Sequence, residues 1–225
     1  MVDTGLSGRE VVVFGAAGAL GAGVAAAFAD AGAVVVGADR VRPAVERQLS
    51  GVSYVSVDVL DDSAVAALLG SRSAPWAVIN TIGGYAPRRP LAELDPAELN
   101  AQLQLNLVSA AVVTKNALQV MLPAGEGRIV HTASHAGVVS AGTGFAYSVS
   151  KLGVLRLVEM GAHETHGTNV TVNCVVPTII DTPANRAAMP KADHESWPKV
   201  ADIACSYIYL ASPDSHLVNG AAIPV

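Results

Sequence analysis

The chain has 225 residues, of which 51% are hydrophobic and 15% are charged, and its formal net charge at pH 7 is −5. This length and apolar content suit one domain with a large core, and the acidic balance argues against a nucleic-acid-binding surface. Because only 4% of the residues are aromatic, the interior must be built from Val, Ala, Leu and Ile, which suits buried parallel strands.

Short apolar runs alternate with helix-like segments along the whole chain. The apolar runs predict strands at 10–14, 33–38, 52–57, 76–80, 128–132, 170–175 and 220–225. Helical patterns lie near 19–31, 62–69, 96–121, 146–164 and 200–211. Most of the runs are continuously apolar, so both faces of the sheet should be covered by helices. The order of elements therefore predicts an α/β fold, a doubly wound parallel sheet of about seven strands (Rossmann fold), in a single domain.

The first predicted strand leads into the stretch GAAGALG, in which Gly15, Gly18 and Gly21 are spaced by threes. Glycines let the backbone turn and let a diphosphate approach closely, and the N–H groups at the start of the next helix attract that anion. A glycine pattern between a strand and a helix favours dinucleotide binding. The alternative is a plain small-residue turn.

The same region admits a second interpretation, because residues 11–29 include nineteen positions without a charge. A membrane span or a signal sequence is the competing prediction. Four glycines, Asp30 at the end and the change from β-branched to small residues favour a strand followed by a helix. We therefore expect no membrane partner.

The second predicted strand ends at Asp39, eighteen residues after Gly21. A carboxylate at this place accepts hydrogen bonds from ribose hydroxyls and repels a 2′-phosphate, so NAD is favoured over NADP. Arg40 and Arg42 would suit that phosphate, but we interpret them as solvated charges. Asp58, after the third strand, either meets the adenine edge or belongs to the N-terminal region of the next helix.

The predicted helix at 96–121 carries a polar residue on its buried face. Asp95 can cap this helix, Pro96 suits its first position and Glu98 completes a capping box. Its apolar stripe includes Asn106. A buried amide must be hydrogen-bonded, so Asn106 either has a structural role or helps to build a site.

The stretch FAYSVSKLG places Tyr147 and Lys151 four residues apart on one predicted helix. The spacing puts both side chains on one helical face, but this pair alone is also compatible with an ordinary aromatic residue and a surface lysine. Ser134 precedes Tyr147 by thirteen residues and follows the strand at 128–132. Ser134 is thereby expected at the carboxyl edge of the sheet, where open α/β folds bind ligands.

With these motifs, the chain resembles the short-chain dehydrogenase/reductase family over nearly its whole length. The matching stretches are VVVFGAAGALG, GADR, VDVLDD, VINTIGG, QLNLVSA, GRIVHTASHAG, AYSVSK, VNCVVPTIIDTP and LVNGAAIPV. The resemblance implies a catalytic set of Ser134, Tyr147, Lys151 and Asn106. It implies hydride transfer between a nicotinamide cofactor, NAD(P)(H), and a small carbonyl or alcohol substrate, and Asp39 favours NAD(H) over NADP(H) as that cofactor. The implied cofactor-binding residues are Gly15, Gly18, Ala19, Leu20, Gly21, Asp39, Arg40, Asp58, Val59, Asn80, Gly83, Tyr147, Lys151, Pro177, Thr178, Ile180 and Thr182.

In the implied mechanism, Tyr147 gives or takes a proton. Its ordinary pKa of about 10 is high for this task, and the nearby Lys151 ammonium is expected to lower it. Lys151 would also bond the nicotinamide ribose. Ser134 would orient the substrate oxygen, Asn106 would hold a water that links Lys151 to solvent, and Thr182 would bond the nicotinamide carboxamide.

The chain departs from the family pattern at several positions. Ala19 replaces the usual second glycine, NTIG at 80–83 replaces Asn-Asn-Ala-Gly, and Thr178 replaces a glycine after Pro177. The stretch IIDTPANRAAMPKADHESW and the short GALG look like the dihydropteridine reductase branch, which lacks the serine that Ser134 supplies here. Two other functions therefore stay open: an NADH-dependent dihydropteridine reductase-like enzyme, and a non-catalytic nucleotide-binding scaffold or regulator.

The substrate side should be formed by the loop at 179–197 together with residues before it. The candidates are Tyr85, His135, Phe145, Arg186, Met189 and Trp197, with Arg186 as a contact for an anionic group. A short loop indicates a small or flat substrate. No metal site is expected.

The resemblance also implies a homo-oligomer, a dimer or tetramer, that pairs through the helices at 96–121 and 146–164. The two cysteines, Cys174 and Cys205, have no metal-ligand spacing and are expected to be buried, reduced thiols. Reduced thiols are consistent with a cytoplasmic protein.

Overall fold

The computed structural model describes residues 4–71, 73–85, 89–139 and 142–225. Its strands form one seven-stranded sheet in the order β3-β2-β1-β4-β5-β6-β7, with every neighbouring pair parallel. The strands are β1 Glu10–Phe14, β2 Val34–Asp39, β3 Val52–Ser56, β4 Ala77–Asn80, β5 Glu126–Thr132, β6 Asn169–Val176 and β7 Ala222–Pro224. The predicted doubly wound parallel sheet is confirmed.

Helices connect the strands and cover both faces of the sheet. They are α1 Ala19–Asp30, α2 Asp62–Gly70, α3 Pro96–Gln102, α4 Ser109–Ala124, α5 His135–Val138, α6 Phe145–Glu164, α7 Pro183–Ala188 and α8 Val200–Ala211. The two shortest of them, α5 and α7, follow β5 and β6 and were not predicted. Both lie in the loops that border the candidate site.

Alternate residues of each strand point to opposite faces of the sheet and so pack into two separate cores. On β1, Val12 and Phe14 join the apolar side chains of α2, α4 and α6 in one buried cluster. Val11 and Val13 join those of α1 and α8 in the other. Burial on both faces is the physical reason why the strands are continuous apolar runs.

The uncharged segment at 11–29 is divided between β1 and α1, and its apolar side chains fill the core. It is therefore not a spanning helix. The continuous helical segment Pro96–Ala124 is long and apolar enough to cross a membrane by length and composition, yet half of its most apolar window is buried inside the fold. Such burial is typical of a core helix.

The segment predicted as one helix at 96–121 differs from a regular α-helix. Asp95 caps its start, accepting from the Ala97 N–H at 2.8 Å, and a π-helical segment, Leu103–Val108, separates α3 from α4. The wider turn contains Asn106, and π-helical insertions are frequent at functional sites. Gly125, with φ +82°, ends α4 in the left-handed conformation.

The expectation of two buried thiols is half wrong. Cys174 lies in β6 and is fully buried, whereas Cys205 lies on α8 and is exposed. Burial raises the pKa of the Cys174 thiol to about 12, so this cysteine is a protonated core residue. Its position follows from the two-sided core, which leaves no solvent-facing side on a central strand.

The topology gathers the candidate residues at one edge of the sheet. The strand order reverses between β1 and β4, which is where open α/β sheets form a ligand-binding crevice. The loops after β4, β5 and β6 all leave the sheet at this carboxyl edge. They carry the predicted residues at 80–85, 134–135 and 177–197 respectively.

Candidate active site

The glycine-rich turn after β1 leaves no room for larger side chains. Gly15 has φ +85°, and a Cβ added there would lie 2.6 Å from Thr81 Oγ1. A Cβ on Gly21 would overlap the Gly15 carbonyl group. This close approach of turn, helix and the neighbouring β4 loop is the geometry that a dinucleotide diphosphate requires.

The start of α1 suits an anion. Gly18 is its N-cap and supplies no side-chain hydrogen bond, and the first turn contains no acidic residue. The first N–H groups of a helix have no partner within the helix and carry the positive end of its dipole. The start of α1 therefore fits the diphosphate of a nicotinamide dinucleotide.

Asp39 lies at the end of β2 and reaches back to the glycine-rich turn. Its Oδ2 accepts from the Ala17 N–H at 3.0 Å, which holds the carboxylate beside the turn. Arg40 is exposed next to it. The carboxylate is thus fixed beside the bound nucleotide's expected position, whereas the guanidinium reaches into solvent.

The loop after β3 places the other predicted adenine contacts. Asp58 is exposed, and its Oδ1 accepts from the Leu60 N–H at 3.0 Å within a tight turn. Val59 is buried, with 7% of its surface exposed, and belongs to the core on one face of the sheet. The second interpretation of Asp58, a turn residue before α2, is therefore compatible with this geometry as well.

The structure brings Ser134 and Tyr147 together. Ser134 follows β5, caps α5 by accepting from the Ala136 N–H at 3.3 Å, and lies close enough to the Tyr147 side chain to lower the pKa of its hydroxyl. Tyr147 lies in the first turn of α6. Two hydroxyl groups thus meet at the carboxyl edge of the sheet, where a substrate oxygen could contact both.

The surroundings of Tyr147 raise the pKa of its hydroxyl. Burial is the largest cause, the Ser134 hydrogen bond lowers the pKa, and Tyr85 raises it. The rings of Tyr85 and Tyr147 meet edge to face, with centroids 5.2 Å apart and planes inclined at 72°. Tyr147 is therefore a neutral phenol at pH 7.

Lys151 occupies the same helix one turn on, but its ammonium is directed toward the sheet. Its Nζ donates to the Thr132 carbonyl oxygen at 2.9 Å, and only 3% of the residue is exposed. Burial lowers the pKa of Lys151 to about 8. The net rise in the pKa of Tyr147 is opposite to the lowering that we expected from Lys151, because burial of the phenol is the largest cause of the shift and Lys151 is not among its causes.

Asn106 joins three elements around this lysine. Its Oδ1 accepts from the Gly84 N–H at 3.1 Å, and its Nδ2 donates to the Gly84 carbonyl oxygen at 3.1 Å and to Ser150 Oγ at 3.1 Å. A Cβ added to Gly83 would lie 2.8 Å from both Asn106 Oδ1 and Lys151 Nζ. The two polar groups therefore border one small space above Gly83, and the structural and functional interpretations of Asn106 coexist.

The predicted nicotinamide contacts are partly tied to each other and to the chain end. The Pro177 carbonyl oxygen accepts from the His135 N–H at 3.1 Å, which links β6 to α5. The Thr178 N–H donates to the Val225 carbonyl oxygen at 3.1 Å. Ile180 packs against the core on the α1 face, and Thr182 Oγ1 caps α7 by accepting from the Asn185 N–H at 3.2 Å.

The predicted substrate residues form an apolar and aromatic border. Tyr85 and Phe145 are 62% and 41% exposed, Tyr85 contacts the Tyr147 ring, and Phe145 begins α6 two residues before it. His135 is exposed at the start of α5. Tyr85 therefore presents a carbon surface beside Tyr147, whereas Phe145 and His135 are exposed at the starts of the two neighbouring helices.

Within the loop, Trp197 and Met189 are engaged with the intervening turn. Trp197 is 8% exposed, and its ring lies 4.6 Å from that of His194. His194 Nε2 is 2.8 Å from the Met189 carbonyl oxygen. Both predicted residues therefore contribute to the shape of the loop.

An ionic cluster closes the same loop, and sequence reasoning missed its centre. Asp181 accepts from Arg186 Nε at 2.5 Å and from Lys199 Nζ at 2.7 Å. These bonds hold the pKa of the Asp181 carboxyl well below its usual range, with Arg186 as the larger cause. Arg186 is thus neutralised inside the loop, which differs from the free anion contact that we predicted.

Other supporting residues were also missed. Thr132 gives Lys151 a main-chain acceptor, which no side-chain pattern could reveal. Gln102 accepts from Asn106 Nδ2 at 2.9 Å, and its position four residues before Asn106 was a usable signal. Ser150 donates to the Tyr147 carbonyl oxygen at 2.8 Å and so joins Asn106 to the helix that carries the tyrosine.

Known proteins match this chain in sequence and in fold. A family model of short chain dehydrogenases matches residues 9–193. Cis-4-hydroxycyclohexanecarboxylate dehydrogenase from Sinomonas cyclohexanicum is 32% identical over 237 residues, covering 96% of this chain and 94% of that protein. An oxidoreductase of the short chain dehydrogenase/reductase family from Burkholderia thailandensis has a TM-score of 0.88 at 25% identity, covering 97% and 91% of the two chains.

A crystal structure from Escherichia coli CFT073 that contains NADPH has a TM-score of 0.86 at 22% identity, with 98% of each chain covered. At that identity the likeness shows the fold alone. The family match and the Sinomonas enzyme extend the resemblance over most of the sequence. The chain belongs to the short-chain dehydrogenase/reductase family.

Proposed function

We propose that this protein is an NAD-preferring oxidoreductase that interconverts a small carbonyl compound and its alcohol, with Tyr147 as the general acid–base. The observation that carries the proposal is the proximity of the Ser134 hydroxyl to the Tyr147 side chain at the carboxyl edge of the sheet, where it lowers the pKa of Tyr147 against the larger effect of burial. The same edge of the sheet carries the crevice between β1 and β4 and a glycine-rich turn that fits a dinucleotide. Two hydroxyls and a nucleotide cradle are the parts that this reaction needs.

NAD(H), when bound, supplies the hydride acceptor or donor. The backbone at Gly15 and Gly18 and the start of α1 would hold its diphosphate. Asp39 would accept from the ribose hydroxyls and would repel a 2′-phosphate. The bond from the Ala17 N–H to Asp39 Oδ2 at 3.0 Å supports the preference for NAD, because it keeps the carboxylate beside the cradle.

The chain's own residues would handle the proton. In the reductive direction, the Tyr147 hydroxyl would donate its proton to the substrate oxygen, while Ser134 would hold that oxygen by a second hydrogen bond. In the oxidative direction, Tyr147 would take the proton from the alcohol. Because burial raises the pKa of Tyr147, the protonated form prevails at neutral pH, which favours the reductive direction.

Lys151 and Asn106 would have supporting roles in this proton transfer. The buried Lys151 ammonium, held by Thr132, would add positive charge near the ribose and the phenol. Asn106 Oδ1 borders the same space above Gly83, where a water molecule would connect Lys151 to solvent. A water needs two or more polar partners, and these two groups provide them.

We propose a compact, uncharged substrate with a carbon skeleton. Tyr85 would offer a carbon surface beside the Tyr147 ring, and the exposed Phe145 ring would offer another at the start of α6. Arg186 is paired with Asp181 and would not serve a substrate carboxylate. The Sinomonas relative is named for a hydroxycyclohexane, so a cyclic secondary alcohol or its ketone is the substrate class that we favour, without the carboxylate of that compound.

Pairing of two copies is proposed through α4 and α6. On α6, Leu152 and Met160 are 54% and 63% exposed and lie eight residues apart, on one face of the helix. Such apolar side chains on a long surface helix favour burial against a second copy. Multi-angle light scattering should give the mass of a dimer or tetramer, and a monomer mass at micromolar concentration would contradict the pairing.

Oxidation of NADH with a panel of cyclic ketones tests the activity. Turnover should be seen with the wild type, and Tyr147→Phe should lower kcat by about 100- to 10,000-fold because the proton donor is lost. Tyr209→Phe, the same change at an exposed tyrosine on α8, is the matched control and should retain activity. Turnover confined to quinonoid pterins would favour the pterin reductase, and NADH binding without any turnover would favour a scaffold.

A further inference from the structure

A buried histidine occupies the strand beneath the candidate site. His131 lies in β5, directly before Thr132, and none of its surface is exposed. Its Nδ1 is 3.3 Å from Asn80 Nδ2, and its Nε2 is 2.8 Å from Thr114 Oγ1. The imidazole therefore connects the end of β4 with α4, and it has no place in the mechanism proposed above.

The neighbours of His131 fix its tautomer. Thr114 Oγ1 donates its own proton to the Ala110 carbonyl oxygen at 2.8 Å, so it must accept from the histidine, and Nε2 carries the ring proton. The Asn80 amide nitrogen can only donate, so Nδ1 is its acceptor. Asn80 Oδ1 is already bonded to the Ile82 N–H at 3.1 Å, which fixes the amide orientation. Burial and the charge of Lys151 lower the pKa of His131 to about 3 and keep this neutral form.

The Asn80 amide connects His131 to the loop that borders the candidate site. Its Oδ1 holds the Ile82 N–H, at the start of the loop 80–84. Two residues later, the Gly84 backbone exchanges both of its hydrogen bonds with Asn106. The intervening Gly83 borders Lys151 and Asn106. If the Asn80 amide were free to rotate, the Ile82 N–H would lose its acceptor. The loop 80–84 would then no longer be held against Lys151 and Asn106.

We propose that His131 is a positioning residue, whose neutral imidazole locks the Asn80 amide and thereby holds the loop 80–84 against Asn106 and Lys151. Its effect on turnover rests on the proposed function, whereas its effect on the loop does not. The bond from Asn80 to Nδ1 carries the role. The bond from Nε2 to Thr114 serves only to orient the ring, so the two can be separated by substitution.

Two amide variants separate the two bonds. In His131→Asn, the side-chain oxygen takes the place of Nδ1 and still accepts from Asn80. In His131→Gln, the amide nitrogen takes the place of Nε2 and still reaches Thr114, but the bond to Asn80 is lost. Relative to wild type, kcat should fall by about tenfold or more in His131→Gln, because the site is misplaced. In His131→Asn, kcat should fall by less than about threefold. The Kd for NADH should be nearly unchanged in both variants. Equal losses of kcat would overturn the proposal.

Hydrogen–deuterium exchange gives a readout that does not depend on activity. The amides of Ile82 and Gly84 should exchange about tenfold faster or more in His131→Gln than in His131→Asn, because only the former loses the bond to Asn80. Uniform exchange in the two variants would overturn the positioning role even in a protein that turns over no ketone. Faster exchange without any turnover in the wild type would support the role and reject the proposed function instead.

Two further measurements test the proposal if a His131 variant does not fold: the Thr114→Val variant and NMR of the wild type. Thr114→Val removes the bond to Nε2 and the bond to the Ala110 carbonyl oxygen but leaves the bond from Asn80 to Nδ1. It should therefore retain kcat and slow exchange of the Ile82 amide, whereas a loss equal to that of His131→Gln would overturn the assignment. In the wild type, ¹⁵N spectra should show a protonated Nε2 and an unprotonated Nδ1 for His131 between pH 5 and 8. A protonated Nδ1 would overturn the proposal outright.

Discussion

The Lys151 ammonium donates to the main-chain oxygen of Thr132 at 2.9 Å. Thr132 is itself held, since its Oγ1 donates to the Asn80 carbonyl oxygen at 2.9 Å and contacts the Tyr207 hydroxyl at 2.7 Å. The charge is therefore anchored to the carboxyl end of β5, on the sheet side of the helix that carries Tyr147. Burial lowers the pKa of Lys151 to about 8, so the ammonium is the main form at pH 7 and its charge is lost as the pH rises through about 8.

Reductive activity should fall as the pH rises above about 8. Lys151 loses its charge there, and kcat/KM should then drop by about tenfold per pH unit if the ammonium is required. The measurement is kcat/KM for a cyclic ketone with saturating NADH from pH 6 to 10. Lys151→Arg keeps its charge throughout this range and should shift the alkaline limb upward. If the decrease of kcat/KM still begins near pH 8 in Lys151→Arg, a group other than Lys151 causes it.

The space above Gly83 should tolerate no side chain. In Gly83→Ala, the added Cβ would lie 2.8 Å from both Lys151 Nζ and Asn106 Oδ1, so the flexible lysine must move. We expect kcat to fall on the order of 100-fold through this misplacement. Gly70→Ala is the matched control, because a Cβ at the end of α2 meets no atom within 4 Å. Full activity in Gly83→Ala would show that the space is not part of the site.

The fold and the core of the site could be predicted from the sequence because their signals are local. The first strand and the glycine-rich turn after it follow from apolar runs and spacing, as does the helical pair of Tyr147 and Lys151. The acceptor of Lys151 could not be predicted, since a main-chain oxygen leaves no mark in the sequence. The same holds for the π-helical segment around Asn106, which depends on packing against other elements.

The charge balance of the substrate loop escaped prediction for a different reason. Arg186 and Asp181 are five residues apart, and Lys199 lies eighteen residues beyond Asp181. Helical spacing rules cover pairs three or four residues apart, whereas this cluster exists only because the loop folds back and pairs Asp181 with Lys199 in a parallel bridge. A free cation in the sequence thus becomes a neutralised one in the structure.

Removal of the Asp181 carboxylate should change substrate preference more than stability. Asp181→Asn releases Arg186 and Lys199 from their shared carboxylate, which makes the loop attractive to anions. The free energy of unfolding should change by only ~0–1 kcal/mol, because Asn can still fill the place of Asp181, whose side chain is 9% exposed, and the two cations are each 44% exposed and stay hydrated. The KM for 4-oxocyclohexanecarboxylate should fall relative to that for 4-methylcyclohexanone.

Glu195→Gln is the matched control for that experiment. Glu195 lies 3.9 Å from Arg186 and from Lys199, so its loss removes one negative charge from the same loop without freeing the two cations. The ratio of KM values should stay near that of the wild type. An equal change of the ratio in both variants would indicate a general charge effect, and no change in Asp181→Asn would place the loop cations away from the substrate.

Acid should destabilise the fold through His131. The histidine is neutral in the folded chain, where its pKa is lowered to about 3, whereas an unfolded histidine binds a proton below about pH 6.5. The unfolded state therefore binds more protons between these values, and the free energy of unfolding falls by up to ~1.4 kcal/mol per pH unit as the pH decreases.

His131→Asn lacks the imidazole and should be less stable than the wild type at pH 7. Chemical denaturation at pH 7.5, 6.5 and 5 should show a difference in stability that is constant above pH 6.5 and narrows by about 2 kcal/mol at pH 5. A difference that stays constant down to pH 5 would mean that the folded protein takes up the proton and that His131 is not held as a neutral ring.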